Sequence, residues 1–174
     1  MNVVKYYNKN GAGIVNFAGE ASPVYALVAH GKLSTSQINA LAIIYKTFFK
    51  KNYINISPNL NIKLGEIVVG CQNELSEYLM NYGLFVVDID ITVLHDREHD
   101  VIEKNDKIIL VNIPQGKFYI KQLYDLAVLL HLGNVPGMHL INDRSFLFKY
   151  DIADQIDVLK QGIEEIGLQL QEVI

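Results

Sequence analysis

The sequence predicts one α+β domain over residues 1–174, made of two strand–helix–strand–helix units related by a pseudo-twofold axis, with helices covering a sheet. Three observations predict it. The chain repeats itself, each repeat alternates extended runs with amphipathic helical stripes, and half of the residues are hydrophobic, enough for a sizeable core.

The repeat is read at a constant shift. Moved by 85 positions, His30-Gly31-Lys32-Leu33 lies over Gln115-Gly116-Lys117-Phe118, Gln37-Ile38 over Gln122-Leu123, and Leu41-Ala42 over Leu126-Ala127. One residue is then lost. Ile62 and Leu64 fall over Phe146 and Phe148, and Leu75, Leu79 and Gly83-Leu84 over Leu159, Ile163 and Gly167-Leu168. These matches define a first unit at 24–87, a polar connector at 88–107 and a second unit at 108–174.

Each unit decodes in the same order. A short extended run, Tyr25–Ala29 or Ile108–Ile113, ends at a Gly-Lys turn. Ser34 is a good N-cap, and Gln37 three residues on completes a capping box. Ile38, Leu41, Ala42 and Tyr45 then form a helical stripe, repeated by Leu123, Leu126, Ala127 and Leu130. Ile54, Ile56, Ile62 and Leu64 predict an extended segment bent at Pro58-Asn59; its counterpart is Met138, Leu140, Phe146 and Phe148, bent at Asn142-Asp143. A second helix closes each unit at Gly83 or Gly167, glycines suited to the left-handed C-terminal cap. The opening 1–23 suggests a turn around Asn10-Gly11 and an added strand over Ile14–Phe17, and Phe48 and Phe49 are expected in the core.

Composition removes several classes of function. The net charge of −4 and the absence of a long basic run argue against a nucleic-acid surface. A lone Cys71 excludes an intrachain disulfide and a four-thiolate cluster, and is expected to be a buried, inert thiol. No apolar run reaches a membrane span and no leader is visible, so a cytoplasmic protein is expected. No P-loop, nucleophile elbow or dinucleotide fingerprint is present; Gly11-Ala12-Gly13 reads as a turn. His95-Asp96-Arg97-Glu98-His99 formally fits an inverted zinc-peptidase motif, but it sits in a charged stretch without helical periodicity. A solvated linker is the expectation there, with His95 and His99 a weak metal candidate. His30 and His131 are expected at a turn and a helix end.

The order strand, Gly-Lys-Leu, S/T-x-x-Q-[IL]-x-x-[LI]-A, then -SPNLNIKLGEI- and a helix ending in Gly-Leu, resembles the ferredoxin-like half-domain of siroheme nitrite and sulfite reductases. The resemblance covers both units, about 70% of the chain, and implies a ferredoxin-like fold. In that family the half-domains accompany siroheme and iron–sulfur domains with four cluster cysteines, and Arg and Lys hold the anionic ligands. Here the intervening domain shrinks to the connector, and Asn55 and Asn59, or His139 and Asp143, stand where the family's Arg residues fall. The resemblance therefore implies no self-contained reductase. It implies a binding or accessory protein with an anionic ligand, a tetrapyrrole such as siroheme or haem among the candidates, or a protein partner. The site would lie in a cleft between the units, where the two bends converge, and would contain Asn59, Asn61, Lys63, His139 and Arg144. The alternative is a redox subunit that completes a siroheme-type active site with a separate cluster-bearing chain; homo-oligomerisation is a further possibility.

Overall fold

The computed structural model describes residues 24–49, 51–65, 71–87, 90–91, 107–151 and 155–173. The expected strand at 14–17, the glycine turn at 11–13 and the His95–His99 run lie outside them.

In the first unit, strand β1 (Val24–Leu27) is followed by a short strand β2 (Lys32–Ser34), helix α1 (Thr35–Phe48), the hairpin β3 (Tyr53–Ile56) and β4 (Ile62–Gly65), helix α2 (Gln72–Met80) and strand β5 (Phe85–Val87). The second unit repeats that order. Its elements are β6 (Ile108–Asn112), β7 (Phe118–Tyr119), α3 (Ile120–Leu132), β8 (Gly137–Asn142), β9 (Ser145–Lys149), α4 (Ile156–Glu165) and β10 (Gln169–Val173). The fold is α+β, with two antiparallel five-stranded sheets and four helices among the described residues. Two corrections follow for the expected strand–helix–strand–helix unit. Each unit gains a closing strand after its second helix and a short strand before its first, and the strands divide between two sheets.

The sheets are built by exchange. The first runs β5-β1-β4-β3-β7 and the second β10-β6-β9-β8-β2, so each unit contributes four strands to its own sheet and one short edge strand to the other. The device is the Gly-Lys turn. His30 and Gly31 have φ of 55° and 68°, and Gln115 and Gly116 have φ of 58° and 65°. Two successive left-handed residues reverse the chain sharply, and glycine takes the second at no steric cost. The strand that leaves the turn pairs with the other unit: Lys32–Ser34 with Gly137–His139, and Phe118–Tyr119 with Tyr53–Ile54. Further hydrogen bonds fasten the exchange. Thr35 donates its N–H to Pro136 O (2.9 Å) and its hydroxyl to Val135 O (2.8 Å), while Ile120 N–H donates to Asn52 O (2.8 Å). Gly137 makes the approach possible, since a Cβ there would lie 2.1 Å from Leu33 O.

The helices begin and end as their caps dictate. Ser34 Oγ accepts from Gln37 N–H (3.2 Å), and Gln37 Oε1 accepts from Ser34 N–H (2.9 Å). The amide of Gln37 also donates to Tyr82 O (2.9 Å), tying the start of α1 to the end of α2. Gln122 repeats both roles, accepting from Tyr119 N–H (3.0 Å) and donating to Ile166 O and Gly167 O (3.2 Å each). Gly83 and Gly167, with φ of 75° and 82°, close Schellman motifs in which Leu84 N–H reaches Leu79 O and Leu168 N–H reaches Ile163 O.

One continuous core fills the space between helices and sheets. The stripes Ile38, Leu41, Ala42, Tyr45 and Leu123, Leu126, Ala127, Leu130 are buried, as are Phe48, Phe49 and the inward residues Ile54, Ile62, Leu64, Met138, Phe146 and Phe148. Helices α1 and α3 pack side by side, with the small residues Ala42 and Ala127 at matching places. Tyr45 keeps its hydroxyl in this core by donating to Leu64 O, and burial pushes its phenol above the ordinary range, with Tyr53 adding to the shift.

Candidate functional site

The five residues expected to converge are divided between the sheets. Asn59, Asn61 and Lys63 belong to the first hairpin, His139 and Arg144 to the second. Each bend packs on the Gly-Lys turn of its own unit. The position of a Cβ on Gly31 lies 3.3 Å from Leu60 Cδ1, and one on Gly116 lies 3.4 Å from Asp143 O and 3.6 Å from Arg144 Cγ. Gly31 also lies against the second hairpin, where a Cβ would fall 3.1 Å from Leu140 O.

Asn61 is fully buried and its side chain is used inside the protein. Its carbonyl accepts from Val28 N–H (3.0 Å), and its amide donates to Asp90 Oδ1 (2.9 Å) and Ile91 O (2.7 Å). Ser57, also buried, donates its hydroxyl to the same Asp90 oxygen (2.7 Å), and Asn59 Nδ2 donates to Asp90 O (3.2 Å). Ser57 N–H donates to Asn61 O (2.8 Å) while Asn61 N–H donates to Ser57 Oγ (3.1 Å). This network satisfies buried polar groups and pins the start of the connector to the first hairpin. Its chemistry is that of a latch.

Lys63 is exposed on β4, flanked across the strands by Tyr25 and Asn55. Arg144 is exposed at the tip of the second hairpin, 3.9 Å from the carboxylate of Asp143, which offsets its charge. His139 is half-buried on β8, directly across from Lys32 of the first unit. Its imidazole titrates below the usual histidine range because burial, then the charges of Lys32 and Lys149, disfavour the protonated form. Those two lysines were not among the expected site residues. Lys32 comes from the other unit, and only the strand exchange delivers it. The same exchange brings Lys117 to the first sheet, where Asn55 Nδ2 donates to Gly116 O (2.7 Å) and the ammonium of Lys117 stands 5.2 Å from the centre of the Tyr53 ring.

Other expectations resolve more simply. Cys71 is half-buried, not buried, at the start of α2. His30 sits in the turn and His131 is exposed in the last turn of α3. An open depression is lined by Ser34, Thr35, Ser36, His131 and Asn134, but the hydroxyls of Ser34 and Thr35 serve the helix cap and the contact with Val135. Among the described residues no group of three or more His, Cys, Asp or Glu side chains could hold a metal ion, and no helix is long and apolar enough to cross a membrane. No protein-family model and no curated protein matches the chain.

Proposed function

We propose that the chain is a cytoplasmic binding or accessory module of the nitrite and sulfite reductase-like kind: two ferredoxin-like half-domains about a pseudo-twofold axis, holding an anionic ligand or an acidic partner at their seam. The observation that carries this reading is the pairing of Lys32 from one unit with His139 from the other, with Lys149 close enough to influence the same imidazole. Two fixed cations beside a titratable ring favour one or two carboxylates, which would also restore the proton that the lysines discourage. The identical order of elements in the two units, and the reciprocal lending of β2 and β7, support the duplicated scaffold.

The seam fits a small anion better than a siroheme with its many carboxylates. Asp143 adds a negative charge beside Arg144, and Asn59 and Asn61 are engaged with Asp90. The test is a pair of titrations on the purified chain, with succinate followed by the His139 ring resonances and with siroheme followed by its visible band. Weak succinate binding that disappears in Lys32→Ala and Lys149→Ala, with feeble siroheme binding, is the expected result. Stoichiometric sub-micromolar siroheme binding would overturn it and favour a subunit that completes a reductase active site with a cluster-bearing partner.

A further inference from the structure

The outward face of the first sheet differs in chemistry from the seam. Inward residues of β3, β4 and β7 (Ile54, Ile62, Phe118) are fully buried, so the alternating positions point out. Those positions are Tyr53 and Asn55 on β3, Lys63 on β4, Tyr119 on β7 with Lys117 just before that strand, and Tyr25 on β1. Tyr53 and Tyr119 are paired across the strands with ring centres 6.1 Å apart, edge to face, and the ammonium of Lys117 lies 5.2 Å from the Tyr53 ring. Tyr119 remains 41% exposed. Lys63 stands between Asn55 and Tyr25 in one cross-strand row.

A cross-strand tyrosine pair can exist for sheet stability alone. The second sheet shows that the architecture does not require it. The places held here by Tyr25, Tyr53, Lys63 and Tyr119 are held there by Leu110, Gly137, Leu147 and Ser34, and that sheet stands without them. The first sheet therefore carries three tyrosines and Lys63 where the second sheet has none of these, while Lys117 has its counterpart in Lys32. Aromatic faces interleaved with cations, with Lys63 and Tyr119 exposed, suit a ligand with a flat heteroaromatic ring and a phosphate, because stacking and charge act together.

We propose that the outward face of the first sheet binds a nucleotide, free or as a residue of a single strand, with its base on Tyr119 beside Tyr53 and its phosphate held by Lys63 and Lys117. Four neighbouring strands, β7-β3-β4-β1, place Tyr119 and Tyr25 three strand spacings apart, roughly 14 Å. A mononucleotide would use the Tyr119 end. A single strand would reach Tyr25 as well. The chain's net charge of −4 opposes a long duplex, whereas two lysines suffice for one or two phosphates.

The experiment uses the full chain at low salt with two probes, AMP by calorimetry and a dye-labelled short oligouridylate by anisotropy. Binding of either probe should fall about tenfold or more in Tyr119→Ala, because a stacked base is lost. Lys63→Glu, at an exposed position that leaves the fold intact, should weaken both probes. Tyr25→Ala should weaken the oligonucleotide alone, and Lys121→Glu, at an exposed place on α3, should leave both unchanged. AMP binding without a gain for the oligonucleotide marks a free nucleotide as the ligand; a marked gain, with a log–log salt slope near about −1.4 for two phosphate contacts, marks a single strand. No binding of either probe, or binding indifferent to both Tyr119→Ala and Lys63→Glu, would overturn the proposal. The succinate response at His139 is read separately, so either site can fail without the other.

Discussion

Ile62 and Phe146 hold matching places in β4 and β9, and both are fully buried. One residue on, Lys63 and Leu147 also match, yet Lys63 is exposed and Leu147 is 4% exposed. The same contrast runs along both sheets. Inward positions keep their apolar character, while outward positions change from Tyr25, Tyr53 and Lys63 in one sheet to Leu110, Gly137 and Leu147 in the other. Alternation along a strand explains how neighbours can obey different rules. The inward residue must fit a packed core, where a change of one methylene is felt, whereas the outward residue answers to whatever lies on that face. Two units with one architecture are thus free to carry two chemistries.

The largest expected effect tests the shared half of this comparison. Ile62→Asp and Phe146→Asp should each unfold the protein, because an unpaired buried carboxylate costs several kcal/mol. Ile56→Asp, at a nearly buried place on β3, should do the same. Thermal melts followed by circular dichroism decide it; a variant that keeps its melting temperature would show that its strand does not face the core.

The next effect tests the divergent half. Leu147→Lys should cost at least about 2 kcal/mol, the value of a buried leucine side chain and more for the charge that replaces it. Lys63→Leu should stay within about 0.5 kcal/mol, as exposed substitutions usually do. Urea unfolding of the two variants measures the difference directly. Equal losses at the two positions would break the claim that the outward faces are differently occupied.

A third, smaller effect concerns the bends. Asn61 and Ser145 match and both are buried, but only Asn61 is seen to satisfy Val28 N–H and hold Asp90 and Ile91. Asn61→Ala leaves buried partners without a bond and should cost roughly 1–3 kcal/mol. Ser145→Ala should cost less. Limited proteolysis adds a second readout, since loss of the latch should expose the connector to cleavage near residue 91 sooner in Asn61→Ala than in the parent chain.

How much of this was legible in the sequence depends on how local each signal is. Helices α1 and α3 announce themselves because Ser34, Gln37 and Gln122 and the apolar stripes lie within a few residues of one another. The hairpins show as apolar runs bent at Pro58 and Asn142. Strands β2 and β7 carry no such mark, since they are two or three residues long and pair only with the other unit. Strands β5 and β10 follow helix-ending glycines, and Phe85–Val87 is too short a run to outweigh that stop signal. The site suffers most from distance along the chain. Asn61 looks like a free polar group until Asp90, 29 residues away, is seen to occupy it. Lys32 reaches His139 only through the exchange, and Tyr119 joins Tyr25 and Tyr53 on one face only because β7 crosses into the first sheet.

The smallest effect is the most specific to the seam. His139 matches Asn55, a residue that cannot titrate, so only the second sheet can respond to pH at this place. Burial and the charges of Lys32 and Lys149 hold the folded-state pKa of His139 below the ordinary histidine value of 6.5. The unfolded chain then binds more protons than the folded one in the window between the lowered pKa and 6.5, so stability rises with pH there. The contribution is fully present above 6.5 and is lost as pH falls through that window. His139→Gln should flatten this part of the stability profile, and Lys32→Ala should shrink it by removing one of the two repelling charges. A bound carboxylate at the seam would act in the opposite direction, favouring the protonated ring and protecting the protein as pH falls. Melting temperatures of the parent chain, His139→Gln and Lys32→Ala across the histidine range, with and without succinate, therefore test the electrostatics and the proposed ligand together. Parallel profiles for parent and His139→Gln would remove the seam's titration from the comparison, and a succinate effect that survives His139→Gln undiminished would place the anion elsewhere.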